Sequence, residues 1–202
     1  MIDVVTITGP ILEPVTASEA KQNSNILFDG DDSLVASLIS AARQVVEQRS
    51  GIRLYTQTIE FRADSFADIG LTEPARSDVI NLRVGNIASV DTVKYYDGDD
   101  ADTTMSASDY WTDVTGYPAR VQVKSSWPST NDRIGNIRIR CTAGWTSVDS
   151  VPENLKQAIK LLVSHYYENR EATTDLKLME IPEGVDALIL GSEYHHFKTG
   201  SI

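Results

Sequence analysis

Residues 32–48 read DSLVASLISAARQVVEQ, a pattern that predicts one long amphipathic helix and decides the fold. Apolar residues recur there at spacings of three and four, as they do along one face of an α-helix. The acidic turn that begins at Asp29 lies at the positive end of the helix dipole, and Gly51 can provide a left-handed C-terminal cap. The apolar residues form two adjacent stripes, namely Leu34, Leu38, Ala41 and Val45, and then Val35, Ile39, Ala42 and Val46.

A second long helix is predicted from Val151 onward. Pro152 suits the first helical turn, and Glu153 favours the helix dipole. Because each long helix has an apolar face that needs a partner, we expect the two to pack together, with Leu38 in the seam between them. The apolar residues of this second helix are Leu155, Ala158, Ile159, Leu162, Val163 and Tyr166.

Two shorter helices are predicted nearer the ends of the chain. Residues 14–21 contain Thr16 and, three positions later, Glu19, which is the spacing of a capping box. Residues 185–190 are apolar enough for a short terminal helix. Helical segments are therefore expected on both sides of the middle of the chain.

The middle of the chain has the pattern of β-strands. Its short runs are rich in Val, Ile, Thr and Tyr, and turn-forming residues separate them. Polar and apolar residues alternate strictly in residues 58–62 and 137–140, as expected of strands with one wet face. The predicted strands are residues 54–63, 90–96, 110–114, 120–124 and 137–141.

Together these patterns predict an α+β fold, in which N- and C-terminal helices form a bundle and a β-rich insert occupies the middle of the chain. The predicted divisions are an N-terminal helical part at 1–53, the β-rich insert at 54–145, a C-terminal helical part at 146–190 and a tail at 191–202.

Charge and hydropathy exclude several classes of protein. The 202 residues carry a formal net charge of −11, which argues against a protein that coats phosphate backbones, since Lys and Arg supply most of that affinity. The first residues lack the basic start and apolar run of a signal peptide, and no stretch approaches the roughly 20 apolar residues of a membrane helix. We therefore expect a protein that is made and kept in a cytoplasm.

Residues 97–102 invite comparison with a calcium-binding loop. Such a loop needs glycine at its sixth position and glutamate at its twelfth. Here those positions hold Asp102 and Ser108, so a hairpin turn that begins at Asp97-Gly98 is the favoured interpretation.

No motif for catalysis or for a cofactor is evident. His165 precedes Glu168 by three residues, without the second histidine of a zinc-protease helix, so packing or hydrogen bonding beside Tyr166 is expected. Cys141 is the single cysteine, which excludes an internal disulfide and favours a small buried residue. A hydrolase that uses His165 and Glu168 is the weakest alternative, and the sequence predicts neither an enzyme nor a metal or cofactor site.

Several short motifs follow one another in a fixed order along nearly the whole chain. They are Leu12–Thr16 with Glu19–Lys21, Asp31–Val45, Gly51 with Thr56–Thr58, Val93–Tyr95, Pro118–Val121, Trp127-Pro128, Thr142–Trp145, Val151–Ile159, Tyr167–Glu171 and Ile181–Leu188. In this order they resemble the head–tail connector family of tailed bacteriophages, also called head-completion adaptors. Residues 64–78 match no part of that pattern, and residues 192–202 lack the Pro-Tyr-Arg ending of relatives.

The resemblance implies a structural protein of the virion neck, the junction between head and tail, synthesised in the cytoplasm of the bacterial host. It implies a homo-oligomeric ring of about twelve copies with cyclic symmetry. That ring would dock beneath the portal protein, extend the DNA channel and present a platform for the stopper or tail-terminator protein. An acidic wall would let genome DNA pass without sequence-specific binding, because it repels phosphates.

The tail carries a cluster that favours partner binding, most naturally to the portal. Amphipathic rings bury large areas at little entropic cost, which makes them common anchors in interfaces. An alternative is that Tyr194 and Phe197 fold back onto their own subunit. The cluster consists of Tyr194, His195, His196, Phe197 and Lys198.

A different binding module of a tail or particle surface is the second functional hypothesis. It would use the β-rich insert and the aromatic residues Trp111, Trp127 and Trp145. Carbohydrate binding would predict an aromatic platform on one strand face. These tryptophans instead lie near predicted strand ends and turns, where we expect them to pack.

Overall fold

The computed structural model describes residues 3–68, 78–169 and 183–190. Within these ranges the chain has four α-helices and eight strands in two antiparallel sheets, which confirms the predicted α+β class. The chain divides into two compact units. We name Met1–Ile11 with Thr56–Gly144 the β unit, and Leu12–Tyr55 with Trp145–Ile202 the helical unit.

The helices of the helical unit begin and end as their local sequences predict. Thr16 Oγ1 accepts a hydrogen bond from the Glu19 amide at 3.2 Å, and Glu19 Oε2 accepts one from the Thr16 amide at 2.7 Å, so the capping box is formed. Gly51 follows the second helix in the left-handed conformation, at φ 76°. The helices are α1 (Ala17–Asn23), α2 (Asp32–Ser50), α3 (Glu153–Glu168) and α4 (Glu183–Leu190).

The two apolar stripes of α2 are not buried equally, because one supplies the fully buried core residues and the other packs against them only in part. Leu38 is half-buried and packs against the margin of the core, and Ala41 is exposed, so the predicted contact of Leu38 with the core is present but peripheral. Ile39, 2% exposed, lies in the core instead. Adjacent apolar stripes look equivalent in a sequence, and only packing against a partner decides between them. The buried residues are Val35, Ile39, Ala42 and Val46 of α2, Leu155, Ile159 and Leu162 of α3, and Val185 and Ile189 of α4.

The β unit contains a five-stranded sheet, in the order β1-β2-β8-β4-β5, and a three-stranded sheet, in the order β3-β7-β6. Side chains from both sheets contribute to one apolar core, which includes Ile59, Phe61, Ile80, Val121 and Ile139. The strands are β1 (Asp3–Thr8), β2 (Gln57–Ala63), β3 (Val79–Leu82), β4 (Ile87–Tyr96), β5 (Asp102–Thr104), β6 (Tyr110–Asp113), β7 (Ala119–Val123) and β8 (Ile137–Ala143).

All five predicted strands are present, while β1, β3 and β5 were not predicted. β3 and β5 have only four and three residues, too few for a recognisable alternation. β1 is a β-branched run whose strand partner, β2, begins almost fifty residues later. None of the described helices combines the length and the apolar character that crossing a membrane would require.

Candidate assembly surfaces

His165 and Cys141 both pack against neighbouring residues in the described part of the chain. His165 is half-buried, its ring centroid 5.9 Å from that of Tyr166, and Asn169 lies 3.4 Å from its Nδ1, so the expected packing role is confirmed. Cys141 is fully buried on β8, and burial raises the pKa of its thiol, with the nearby Asp91 carboxylate adding to the rise. Among the described residues no three His, Cys, Asp or Glu side chains are grouped closely enough to hold a metal ion.

The acidic segment at 97–102 forms the turn of the β4–β5 hairpin, as predicted. Asp97 Oδ1 accepts hydrogen bonds from the amides of Asp99 and Ala101, each at 3.0 Å, and Asp97 Oδ2 accepts one from Thr103 Oγ1 at 3.1 Å. These backbone hydrogen bonds lower the pKa of the Asp97 carboxyl. Asp97 therefore closes the turn, while Asp99 stands exposed at the tip of the hairpin.

The three tryptophans do not share one role. Trp127 stacks on Phe66 with 4.5 Å between ring centroids, and Trp145 packs against the helical core. Trp111 is 55% exposed on β6, with Lys124 Nζ 5.3 Å from its ring centroid. The expected packing role is thus confirmed for two tryptophans and wrong for Trp111, whose position within a short outer strand leaves one face uncovered.

The predicted partner-binding cluster at 194–198, with the whole tail at 191–202, lies outside the described residues, as do 170–175 of the polar segment and 69–77. The helix that precedes the tail is well held. Val185 and Ile189 are buried in the helical core, and Asn154 Nδ2 donates to the Leu188 carbonyl at 2.8 Å. Arg49 also pairs with Asp186 on α4. Helix α4 is therefore held against the helical core.

Two large apolar residues are exposed in the turn between α1 and α2. Leu27 is 88% exposed and Phe28 is 67% exposed. The Phe28 ring lies against the backbone at Gly30, where a Cβ atom would come within 2.3 Å of ring carbon Cε1. Gly30 therefore lets the ring fold back over the turn.

A charged surface covers the five-stranded sheet on the side opposite its core. We name it the outer sheet face and define it by Glu60, Arg62, Lys94, Tyr96, Asp102, Arg138 and Arg140. Strand register places Glu60 opposite Arg140, Arg62 opposite Arg138, and Lys94 also opposite Arg138. Three cations therefore lie side by side across β2, β8 and β4, an arrangement that is unfavourable between directly opposed like charges.

Each carboxylate of the outer sheet face binds two cations. Glu60 accepts from Arg62 Nε at 2.8 Å and from Arg140 Nη2 at 3.0 Å. Asp102 accepts from Arg138 Nη2 at 2.8 Å and lies 3.7 Å from Lys94 Nζ. The residues that define this face are thus four cations, two carboxylates and Tyr96, while Asp3 of β1 lies opposite Arg62 at the edge of the sheet.

Glu60 is the member of this face that the sequence pattern misplaces. Strict alternation predicts a wet position, yet Glu60 is only 4% exposed. Burial acts to raise the pKa of its carboxyl, but the hydrogen bonds from Arg62 and Arg140 outweigh burial and hold the pKa below its ordinary value. The signal available in the sequence was the Arg-Ile-Arg alternation at 138–140, which reveals the cations but not the strand they face.

Comparison with known proteins gives one family and one fold. A sequence model described as head completion protein matches residues 15–176. No curated protein sequence matches the chain. The fold is similar to that of a chain in the neck of an empty GTA particle computed with C6 symmetry, with a TM-score of 0.72, 21% identity and 93% of each chain covered.

Two further structures of the same kind of particle share this fold. A chain in the virion of a native gene transfer agent (GTA) particle matches with a TM-score of 0.69 and 21% identity, over 92% of each chain. A chain in the neck of a native GTA particle computed with C12 symmetry matches with a TM-score of 0.62 and 22% identity, over 91% of this chain and 92% of the other.

Proposed function

Since the chain belongs to the head completion protein family, which is structural rather than enzymatic, we propose that it is a head–tail adaptor of a tailed phage or phage-like particle. The observation that carries this proposal is the family match over residues 15–176. Both units contribute residues to that span, so the match rests on the combined architecture rather than on one common motif.

The place of the protein in the particle is proposed from its structural relatives. Two of them are neck structures, computed with C6 and C12 symmetry, and their fold extends over more than nine-tenths of this chain. We propose a neck location for this chain as well, in a ring of about twelve copies, since a subunit that repeats in one closed contact generates cyclic symmetry.

The proposed ring lies beneath the portal protein, extends the DNA channel and presents the platform for a stopper or tail-terminator protein. A formal net charge of −11 supports a channel wall along which DNA phosphates are repelled rather than bound. In this proposal the helices from both ends of the chain form the bundle that docks, and the β-rich insert occupies residues 54–145.

The tail at 191–202 is the proposed portal anchor, through Tyr194, His195, His196, Phe197 and Lys198. The buried α4 supports this role, because a tail that leaves a fixed helix presents its aromatic rings from a defined point. Removal of residues 193–202 is expected to leave the melting temperature almost unchanged and to abolish joining to portal-bearing heads. Removal of 199–202 alone is the matched control, since it keeps all five residues. A lower melting temperature after the longer truncation would show local packing instead.

Electron cryomicroscopy of the purified protein mixed with its portal tests the proposed function as a whole. The expected result is a ring of this chain on the tail-facing end of the portal. Absence of any complex, or single copies attached to the outside of a tail, would favour the alternative of a particle-surface binding module.

A further inference from the structure

The outer sheet face holds two guanidinium groups ready for an additional anion. Arg62 uses only Nε and Arg140 only Nη2 in binding Glu60, and their side chains are 45% and 46% exposed. The Glu60 side chain, 5% exposed, fixes both guanidinium groups from below. Guanidinium groups bind carboxylates and phosphates through paired N–H donors, and both side chains keep nitrogen atoms that no contact to Glu60 uses.

Two features of this face are unfavourable within one isolated subunit. Arg62, Arg138 and Lys94 are directly opposed across three strands, and like charges at such positions repel. Within the described residues Arg138 Nε is buried without an acceptor, which costs free energy in the folded state. Sites at which a protein departs from such local rules are commonly functional.

Several observations favour a carboxylate of a second copy as the ligand. A chain with a formal net charge of −11 repels nucleic acid and other copies of itself at long range, so the contact would depend on the short-range match between these guanidinium groups and an exposed carboxylate of a neighbouring copy. Asp99 is one such carboxylate in the β unit, and it lies exposed at the tip of the β4–β5 hairpin beside Gly98, whose surroundings are open. Its amide is bound by Asp97, which holds the tip in one shape.

Asp99 cannot reach Arg140 of its own sheet. Arg140 is paired in register with Thr92, and the strand continues to Tyr96 before the hairpin turns. Those four residues alone span about 13 Å at about 3.3 Å per residue, well beyond ion-pair distance. A contact between Asp99 and Arg140 therefore has to join two copies, and it uses a different surface on each, as a ring with cyclic symmetry requires.

We propose that Asp99, at the hairpin tip of one copy, binds Arg62 and Arg140 on the outer sheet face of the next copy. This head-to-tail contact rests on the proposed ring of copies and names one surface through which neighbours would recognise each other. Its charge complementarity makes association sensitive to salt.

A charge exchange tests the contact. Asp99→Lys and Arg140→Glu are each expected to weaken self-association of the purified protein by about tenfold or more at low salt, as measured by sedimentation equilibrium. An equimolar mixture of the two variants is expected to recover association. In that mixture the introduced lysine of one copy faces the introduced glutamate of the next, and the following contact joins Asp99 to Arg140 as in the wild type. Failure of the mixture to recover would overturn the proposal.

Two controls keep the experiment decisive. Asp149→Lys makes the same change of charge at an exposed position of the helical unit and is expected to leave association unchanged. Arg140→Gln replaces Arg140→Glu if the latter melts early, since Arg62 still binds Glu60 and only the loss of association is then scored. A wild type that remains monomeric up to about 1 mM at low salt would also overturn the proposal.

DNA is the competing ligand, and a separate measurement distinguishes it. Fluorescence anisotropy of a labelled duplex should show no binding that depends on Arg140. Binding that Arg140→Glu abolishes would replace the proposed protein contact with a phosphate site. These measurements use the purified chain without a portal. A failure of self-association would therefore overturn the proposed contact but not the adaptor function, which the portal experiment tests. A failure of the portal experiment would likewise not decide whether copies bind each other through Asp99.

Discussion

Both units bury a carboxylate beside guanidinium groups, but they complete the arrangement in opposite ways. In the helical unit the Arg43 side chain is 7% exposed and uses all three nitrogens, donating to Glu13 at 2.8 Å, Glu47 at 3.0 Å and Ser40 at 3.4 Å. The other Glu47 oxygen accepts from the Leu54 amide at 2.9 Å. This network is closed, and it ties Glu13 and the backbone at Leu54 to α2.

The helical network joins one arginine to two glutamates, whereas the network of the β unit joins one glutamate to two arginines. Glu60 is surrounded by Arg62 and Arg140, each of which contributes one nitrogen and remains nearly half exposed. A closed network with satisfied donors can only stabilise its own fold, whereas an open one retains donors for a partner. The comparison assigns stability to the first group and recognition to the second, and each can be tested by substitution.

The largest effect is expected where a carboxylate enters a core without such a network. Ile39→Asp places an unpaired charge among buried side chains of the helical unit, and its cost is comparable with the whole stability of a domain, about 5–15 kcal/mol. We expect no cooperative thermal transition by circular dichroism. Leu38→Asp, at the half-buried margin of the same helix, should retain a transition at a lower temperature. Equal behaviour of the two variants would contradict the assignment of the buried stripe.

Removal of one partner from the closed network should have the next largest effect. Arg43→Ala removes the Arg43 guanidinium from the buried Glu47, and breaking a buried ion pair typically costs about 3–5 kcal/mol. Denaturant unfolding of the purified variant measures this loss. Arg49→Ala is the matched control, because the Arg49–Asp186 pair is exposed and such pairs contribute below about 1 kcal/mol. A loss no larger than that of the control would break the distinction between closed and open networks.

Glu60 provides a test through pH. Its pKa in the folded protein lies below the ordinary value of 4.5, so its contribution to stability is present above that pH and is lost as the pH falls through the folded-state pKa. Glu60→Gln removes this contribution. The difference in unfolding free energy between wild type and variant should therefore be constant above about pH 5 and shrink on further acidification. A difference that grows with acid would show that burial, not the arginines, dominates.

The smallest effect on stability is expected at Arg140. Arg140→Gln leaves Arg62 on Glu60 and removes a half-exposed partner, so the unfolding free energy should change by less than about 1 kcal/mol. Self-association should weaken in the same variant. Arg43→Ala should associate normally under conditions in which it is folded. If Arg140→Gln instead destabilised the fold and Arg43→Ala weakened self-association, the roles assigned to the two networks would have to be exchanged.

Much of the local structure could be predicted from residues close together in the chain. Thr16 with Glu19 and Gly51 mark helix ends because caps depend on a few neighbouring residues. The five strands with clear alternation were predicted for the same reason. β1 was missed because Asp3–Thr8 is a largely exposed edge strand without strict alternation, and Glu60 was placed on a wet face because its contacts with Arg62 and Arg140 form only in the folded sheet.

By itself the sequence determined the helix caps, the alternating strands, the acidic balance and the ordered motifs that resemble a connector. Only the tertiary structure decided which stripe of α2 is buried and which charges meet on the outer sheet face. Arg140 lies opposite Glu60, eighty positions away, because of the register between β2 and β8. Register depends on the packing of whole strands, and a shift by one residue would turn every side chain of a strand to the other face. The pairing of Glu60 with Arg140 can therefore be read only once the complete fold is known.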